Sequence, residues 1–113
     1  MKQLIIAVAS ATCVLLAAAN APAQNYPSKT VRIIVPYVPG GTSDILSRLL
    51  SPKLTEVFGQ TVIVDNRPGA NGNIGADLVA KSAPDGHTML LADLGALSIS
   101  PSVYKLPFDP VKD

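Results

Sequence analysis

The fold of this chain is decided by residues 31–44, VRIIVPYVPGGTSD. The β-branched run Val31–Val35 ends at a proline, which predicts a short strand that is buried on both faces. A loop rich in proline and glycine follows the strand. Thr42 or Ser43 can then cap a helix whose first turn carries Asp44, where a carboxylate complements the helix dipole. The stretch therefore predicts a strand, a loop and a helix in that order.

The helix is supported by apolar residues that recur at helical spacing. They are Ile45, Leu46, Leu49, Leu50, Leu54 and Val57. Gly59 predicts the end of the helix. Pro52 lies inside the pattern and removes the hydrogen bond to the Arg48 carbonyl, so a kink or two shorter helical pieces are expected around Ser51.

The order of strand, loop and helix occurs a second time. Residues 62–64, VIV, predict the second strand, and a glycine-rich loop occupies residues 65–73. A helix is expected from about Ile74 to Ser82. Leu78 and Val79 are expected on its inner side.

A third unit begins at residues 88–92, TMLLA, which predict the third strand. Asp93-Leu94-Gly95 makes the next loop, and a short helix over residues 96–104 is expected to be interrupted by Pro101. Three such units predict parallel strands with right-handed crossovers. The predicted fold class is therefore a three-layer α/β lobe built on a parallel sheet.

Ligands of an open parallel sheet bind beyond the carboxyl ends of its strands, and all three predicted loops fall at that edge. We call them loop 1 (Val38–Asp44), loop 2 (Gly69–Gly75) and loop 3 (Ala92–Ala96). Glycines in loops 1 and 2 let backbone N–H groups approach a ligand, and each helix N-terminus adds a partial positive charge. One such loop alone could be only a tight turn, but two at equivalent positions favour a site for a small anion. Neither loop is a Walker loop, and Gly-x-Gly-x-x-Gly does not follow the first strand.

The N-terminal segment predicts export. Lys2 precedes the 16 uncharged residues Leu4–Ala19, and Ala21-Pro22-Ala23 fits a cleavage site. Residues 1–23 are therefore expected to be a signal peptide and residues 24–113 the exported part. The alternative, a retained anchor, is disfavoured because a spanning helix needs about 20 apolar residues.

Cysteine usage and charge narrow the possible functions. Cys13, the sole cysteine, lies within the apolar run of the signal and lacks the upstream leucine of a lipidation site. The exported part is then expected to have no disulfide, thiolate nucleophile or cysteine metal site. The chain has nine Lys and Arg residues and eight Asp and Glu residues, so removal of Lys2 with the signal peptide leaves a net charge of zero. No basic stripe is left to hold nucleic acid.

Catalytic machinery is not evident in the sequence. His87, the single histidine, follows a turn and is interpreted as a strand-entry residue, and neither Gly-x-Ser-x-Gly nor His-Glu-x-x-His occurs. Arg67 could pair a ligand carboxylate or brace Asp65, and bracing is favoured. Tyr37 could lie against a ligand or be ordinary packing, and both remain open. We expect a non-enzymatic protein without catalytic residues, metal or cofactor.

Four segments carry a resemblance to a known family. They are residues 26–44 (YPSKTVRIIVPYVPGGTSD), 59–75 (GQTVIVDNRPGANGNIG), 79–88 (VAKSAPDGHT) and 101–110 (PSVYKLPFDP). Together they resemble the Bug family, the periplasmic solute-binding receptors of tripartite tricarboxylate transporters. The resemblance extends over essentially the whole exported part.

The resemblance implies a two-lobed, clamshell receptor in the periplasm that closes around a small carboxylate of the organic-acid or amino-acid type. Such a receptor is usually a monomer and delivers its ligand to a membrane permease. Loops 1 and 2 would hold the carboxylate through backbone groups and waters, with Asp44 acting through water. The expected ligand-binding residues are Tyr37, Val38, Gly40, Gly41, Thr42, Asp44, Gly69, Ala70, Asn71, Gly72, Asn73 and Asp93.

Two departures from the family pattern matter. Family members are much longer, so this chain is expected to hold the N-terminal part of the first lobe, with the second lobe absent. Asp93 stands where small or neutral polar groups are common; facing the cleft, it would disfavour citrate and favour a ligand bearing an amine, amide or hydroxyl. It could equally cap the following helix. The alternative functions are a truncated, non-functional receptor fragment and a small anion- or phosphate-binding enzyme domain.

Overall fold

The computed structural model of the chain describes residues 25–112, and the predicted signal peptide lies outside that range. The strands are β1 (Val31–Val35), β2 (Val62–Asn66) and β3 (Thr88–Leu90). The helices are α1 (Thr42–Phe58), α2 (Asn73–Ala80) and α3 (Ser100–Val103), with a 3-10 turn at Ala70–Gly72 and a π-helical turn at Gly95–Ile99. The strands form one parallel sheet in the order β2-β1-β3.

The central strand β1 is covered on both faces, as its β-branched sequence predicted. Its odd-numbered side chains form the main core cluster with Val62, and Leu54 and Phe58 of α1 pack against that cluster. Side chains alternate across a sheet, so Ile34 lies on the opposite face, and it is also fully buried. The α2 helix contacts both β1 and β3. The predicted three-layer α/β arrangement with parallel strands is confirmed.

The expectation of two shorter helical pieces around Pro52 is wrong, because one helix runs from Thr42 to Phe58, and a kink at Pro52 stays a prediction. Two side chains that flank the proline attach the helix to the first residue of β2. The Ser51 hydroxyl donates to the Val62 carbonyl at 2.6 Å, and Thr55 Oγ1 accepts the Val62 N–H at 3.0 Å. These bonds hold the helix to the sheet on both sides of the missing backbone bond.

The start of α1 also differs from the sequence-based expectation. Gly41 is the N-cap residue, with no side-chain capping bond, so neither Thr42 nor Ser43 caps the helix. Ser43 is instead one of the buried residues of the helix, and its carbonyl accepts the Ser47 hydroxyl at 2.7 Å. Short serine side chains on this face let the helix lie close to the sheet.

Most of the apolar residues that revealed α1 lie on its exposed side. Their exposed fractions are 52% for Ile45, 47% for Leu46, 65% for Leu49, 44% for Leu50 and 79% for Val57. Helical spacing therefore predicted the helix correctly but did not predict which side contacts the sheet. The side of α1 toward the sheet carries the buried Ser43 and Ser47 together with Leu54 and Phe58.

The second and third units differ from the predictions mainly at their ends. Helix α2 covers Asn73–Ala80, and its buried residues are Gly75 and Ala76, whereas Leu78 and Val79 are only half-buried. Gly75 permits this because it lies directly against Pro36. Strand β2 extends through Asn66, and β3 already ends at Leu90. Pro101 lies in the first turn of α3, where proline is tolerated, rather than interrupting a helix.

Residues 26–29, which precede β1, lie at the opposite edge of the sheet, where the strands begin. The Tyr26 hydroxyl donates to the Gly86 carbonyl at 2.6 Å, and its ring lies edge-on to His87 with centroids 5.1 Å apart. His87 is buried, and its Nε2 accepts the Ser28 N–H at 3.2 Å. The prediction that His87 is a strand-entry residue agrees with this position, which is remote from the three loops.

Gly75→Ala tests the contact between α2 and the sheet. The added Cβ would lie 2.7 Å from Pro36 Cβ, 2.9 Å from Pro36 Cα and 3.0 Å from the Arg67 carbonyl oxygen. Backbone atoms have little room to move, so the free energy of unfolding in urea should fall by about 1–3 kcal/mol. The control is Gly41→Ala, whose Cβ meets nothing closer than 3.7 Å and should cost clearly less. Equal losses in the two variants would contradict the proposed crowding.

Candidate functional site

The three loops meet at the carboxyl edge of the sheet because their strands are parallel neighbours. Loop 1 is central, since it follows β1, with loop 2 on one side and loop 3 on the other. Side-chain contacts between the loops confirm that they lie together. A Cβ on Gly72 of loop 2 would lie 3.2 Å from the Tyr37 hydroxyl and 3.1 Å from Ala96 Cβ of loop 3.

Asp44 is the anchor of loop 1. It is buried, and its carboxylate accepts the Gly40 N–H at 2.9 Å and the Asn66 amide at 3.0 Å. Arg48, one turn further along α1, donates Nε–H to both carboxylate oxygens at 3.1 and 3.0 Å. Gly40 takes a positive φ of 91°, which glycine adopts without strain, and this turns its N–H toward Asp44.

These donors keep Asp44 ionised. The Arg48 bond is the largest cause, followed by the Gly40 N–H, and with the Asn66 amide they lower the pKa of Asp44 to about 2. The carboxylate thus acts as a brace between loop 1, α1 and the end of β2. A contact between Asp44 and a ligand through water stays a prediction.

Two residues of this cluster, Arg48 and Asn66, were not among the predicted site residues. Asn66 donates its amide to the Tyr37 carbonyl at 3.2 Å as well as to Asp44, and it accepts from Arg48 at 3.1 Å. It thereby joins the end of β2 to the start of loop 1. The position of Asn66 at the end of a strand, in a segment that resembles the family, was the available signal.

Two residues of loop 2 have an unusual backbone conformation. Ala70 and Asn71 both have positive φ, 47° and 55°, in a region that non-glycine residues rarely adopt. Such strain is typical of loops whose shape serves a ligand. The Asn71 amide donates to the Ser100 hydroxyl at 3.2 Å, which ties loop 2 to α3. Gly69 precedes this turn, and Asn73 opens α2.

Arg67 braces Asp65, as favoured from the sequence. Its Nε–H lies 3.1 Å from one carboxylate oxygen, and Arg32 bonds the same carboxylate from β1. Desolvation alone would raise the pKa of Asp65, but the bonds and charges of Arg67 and Arg32 together lower it. Arg67 is therefore committed to an internal ion pair.

Tyr37 and Asp93 join loops 1 and 3. The Tyr37 hydroxyl donates to Asp93 Oδ1, which also accepts the Gly95 N–H at 2.9 Å. Burial first, and then Asp93, raise the pKa of Tyr37 to about 12, while the Tyr37 bond is the largest cause of a lowered pKa at Asp93. The bond from the Gly95 N–H agrees with the alternative that Asp93 closes the turn before the π-helical segment. Asp93 is also exposed, and the alternative that it faces a ligand stays a prediction.

Two helix starts lie at this edge, and at the second one the Gly72 and Asn73 N–H groups already bond the Gly69 and Ala70 carbonyls. The first N–H groups of a helix have no intrahelical partner. No side chain caps α1, whose N-cap is Gly41, or α2, whose N-cap is Gly72. Thr42 lies at the start of α1, and Val38, the first residue of loop 1, is 64% exposed. The arrangement can accept a small anion between the two helix starts.

Other kinds of site receive no support within residues 25–112. No group of three or more His, Cys, Asp or Glu side chains is placed there to hold a metal. No helix in that range is long and apolar enough to cross a membrane. A cavity of about 480 Å³ lies beside loop 2, between Asn73 and the tail at Tyr104–Pro107, rather than between loops 1 and 3.

A family model for the tripartite tricarboxylate transporter family receptor matches residues 46–113. The chain belongs to this receptor family. The protein BugT of Bordetella pertussis is 45% identical over 100 residues, which cover 83% of this chain and 31% of BugT. A UPF0065 protein of Bordetella bronchiseptica is 47% identical over 94 residues, covering 82% of this chain and 28% of that protein. The predicted Bug-family membership is confirmed, and the matching family model describes a receptor.

Solved structures show the same fold. A periplasmic transporter is 42% identical with a TM-score of 0.74, covering 78% of this chain and 30% of its own. MatC of Rhodopseudomonas palustris, with bound malate, is 35% identical with a TM-score of 0.71, covering 75% of this chain and 29% of its own. An R. palustris protein with adipate is 45% identical with a TM-score of 0.56, covering 57% and 22%. This receptor-family chain thus spans less than a third of the length of its relatives.

The Asp44 brace predicts acid sensitivity. A carboxyl whose pKa is about 2 in the folded state and about 3.9 when unfolded stabilises the fold fully above that higher pKa. Its contribution is lost as the pH falls from about 4 toward 2. Asp44→Asn should flatten this part of the pH dependence of the free energy of unfolding. Arg48→Met, which removes the largest cause of the shift, should move the loss to higher pH. Curves that match the wild type in both variants would refute the brace.

Proposed function

We propose that loops 1 and 2 of this chain bind the carboxylate of a small organic or amino acid as part of a periplasmic solute-binding receptor. The observation that carries the proposal is the pair of uncapped helix starts, at Gly41 and Gly72, brought together at one sheet edge. Family membership and the malate and adipate bound by two solved relatives support it. The chain supplies one side of such a site.

Each residue has a definite part in this proposal. Backbone N–H groups after Gly41 and at Gly69, Ala70 and Asn71 donate to the carboxylate. The Gly72 and Asn73 N–H groups already bond the Gly69 and Ala70 carbonyls, so these two residues shape loop 2. Val38 and Thr42 lie at the exposed edge of loop 1. A contact between a charge and a helix start contributes about 0.3–1 kcal/mol, so several donors must converge. The Gly40 N–H is already given to Asp44, so Gly40 shapes the loop rather than binding. Asp44 holds the donors in place and reaches the ligand only through water.

Location and partner belong to the same proposal. The signal-like segment 1–23 and the periplasmic relative support export to the periplasm. The family description supports delivery of the ligand to the permease of a tripartite tricarboxylate-type transporter. A monomeric carrier, as the resemblance to the family implies, is part of the same proposal.

Calorimetric titration and thermal shift of the purified chain test the proposal directly. The probes are malate, adipate, citrate, 4-hydroxybutyrate and 4-aminobutyrate. A carboxylate present at about 100 times its Kd should stabilise the fold by about 2.7 kcal/mol and should not be chemically changed. Failure of every carboxylate to bind, or turnover of one of them, would overturn the proposal.

Gly41→Asp tests the helix start itself. A carboxylate at this position is a good N-cap, so the melting temperature should hold or rise, while ligand carboxylates should bind about tenfold more weakly or worse. Gly59→Asp is the matched control, since it adds the same charge at the opposite end of α1, at a left-handed C-cap that Asp tolerates. Equal affinities for Gly41→Asp and the wild type would exclude the start of α1 from the site.

A further inference from the structure

Asp93 holds an anionic charge at the carboxyl edge of the sheet. Its side chain is exposed, and its bonds to Tyr37 and to the Gly95 N–H both stabilise the ionised form. No Lys, Arg or His side chain in the described part of the chain forms an ion pair with it. Within residues 25–112, the charge is therefore not neutralised by a cationic side chain.

The Tyr37 ring connects this charge to the proposed carboxylate site. Tyr37 directly precedes loop 1, and its ring packs against the core cluster below. Its hydroxyl lies in van der Waals reach of Gly72, the N-cap of α2, because a Cβ there would lie 3.2 Å away. Asp93 is thus hydrogen-bonded to Tyr37, the residue that contacts Gly72 of loop 2.

We propose that Asp93 sets ligand selectivity at this edge, by holding Tyr37 in place and by its own charge. A ligand whose carboxylate lies at the two helix starts would extend its other end toward loop 3. There it would meet a fixed carboxylate, which accepts a hydroxyl or ammonium donor and repels a second carboxylate. The preferred ligand therefore carries one carboxylate and a hydrogen-bond donor at its far end. This inference rests on the proposed function and distinguishes this chain from its malate- and adipate-bound relatives.

The two roles of Asp93 can be separated by substitution. Asp93→Asn removes the charge but keeps an oxygen that can accept from Tyr37 and Gly95. Tyr37→Phe removes the hydroxyl but keeps the charge and the ring. Asp93→Ala removes both the charge and the acceptor. Glu56→Gln, an exposed position near the far end of α1, is the matched charge control.

The probes are succinate, 4-hydroxybutyrate and 4-aminobutyrate, which share a four-carbon chain and one carboxylate, and calorimetry gives their affinities. The wild type should prefer the two donor-bearing probes over succinate by at least about tenfold. Asp93→Asn should abolish that preference, and Glu56→Gln should retain it. Tyr37→Phe should weaken all three probes by a similar factor and leave their order unchanged, and Asp93→Ala should combine the two effects.

The role of Asp93 in holding Tyr37 in place can be measured without any ligand. In an ultraviolet titration the phenol of Tyr37, whose pKa is about 12, should ionise at lower pH in Asp93→Asn and lower still in Asp93→Ala. Binding of carboxylates with the same selectivity in wild type and Asp93→Asn would overturn the selectivity role while leaving the proposed function standing. An unchanged phenol titration in Asp93→Ala would overturn the positioning role. If no carboxylate binds the wild type, the proposed function fails and this inference fails with it.

Discussion

The carboxylate of Asp44 is the interaction on which the functional edge depends. It receives bonds from the backbone of loop 1, from Arg48 of its own helix and from Asn66 at the end of the neighbouring strand. Three separate pieces of chain are thereby fixed to one another at a single buried point. Because a buried carboxylate is costly without partners, the cluster has little freedom to rearrange. The shape of loop 1 follows from this constraint.

The same constraint determines which backbone groups remain for a ligand. Asp44 takes the Gly40 N–H, so the loop turns sharply there and presents Gly41 as an uncapped helix start. Across the edge, Tyr37 contacts loop 2 and bonds Asp93 of loop 3. The three loops are therefore interlocked rather than independent. Under the proposed function, an interlocked edge would keep its donors aligned before a ligand arrives, which reduces the entropy lost on binding.

Most of the fold and part of the site could be predicted from the sequence. The strands were evident because β-branched runs ended at proline or led into glycine-rich loops, and helical spacing of apolar residues indicated α1. The bracing of Asp65 by Arg67 was predicted because the two are close in sequence. Continuity through Pro52 could not be predicted, because it depends on bonds from Ser51 and Thr55 to a distant strand. Asn66 was missed for the same reason, whereas Arg48 bonds Asp44 one turn away on the same helix and its spacing was available in the sequence.

The sequence alone determined the order of strands and helices, the parallel sheet, the edge at which the loops gather and the family to which the chain belongs. These depend on local pattern and chain connectivity, which a linear sequence contains. Only the tertiary structure decided that the serine face of α1 meets the sheet, that Asp44 is a brace, and that Asp93 holds Tyr37. Each of these depends on side chains brought together from helices, loops and strand ends, and their distances are fixed by how closely the helices and loops pack on the sheet.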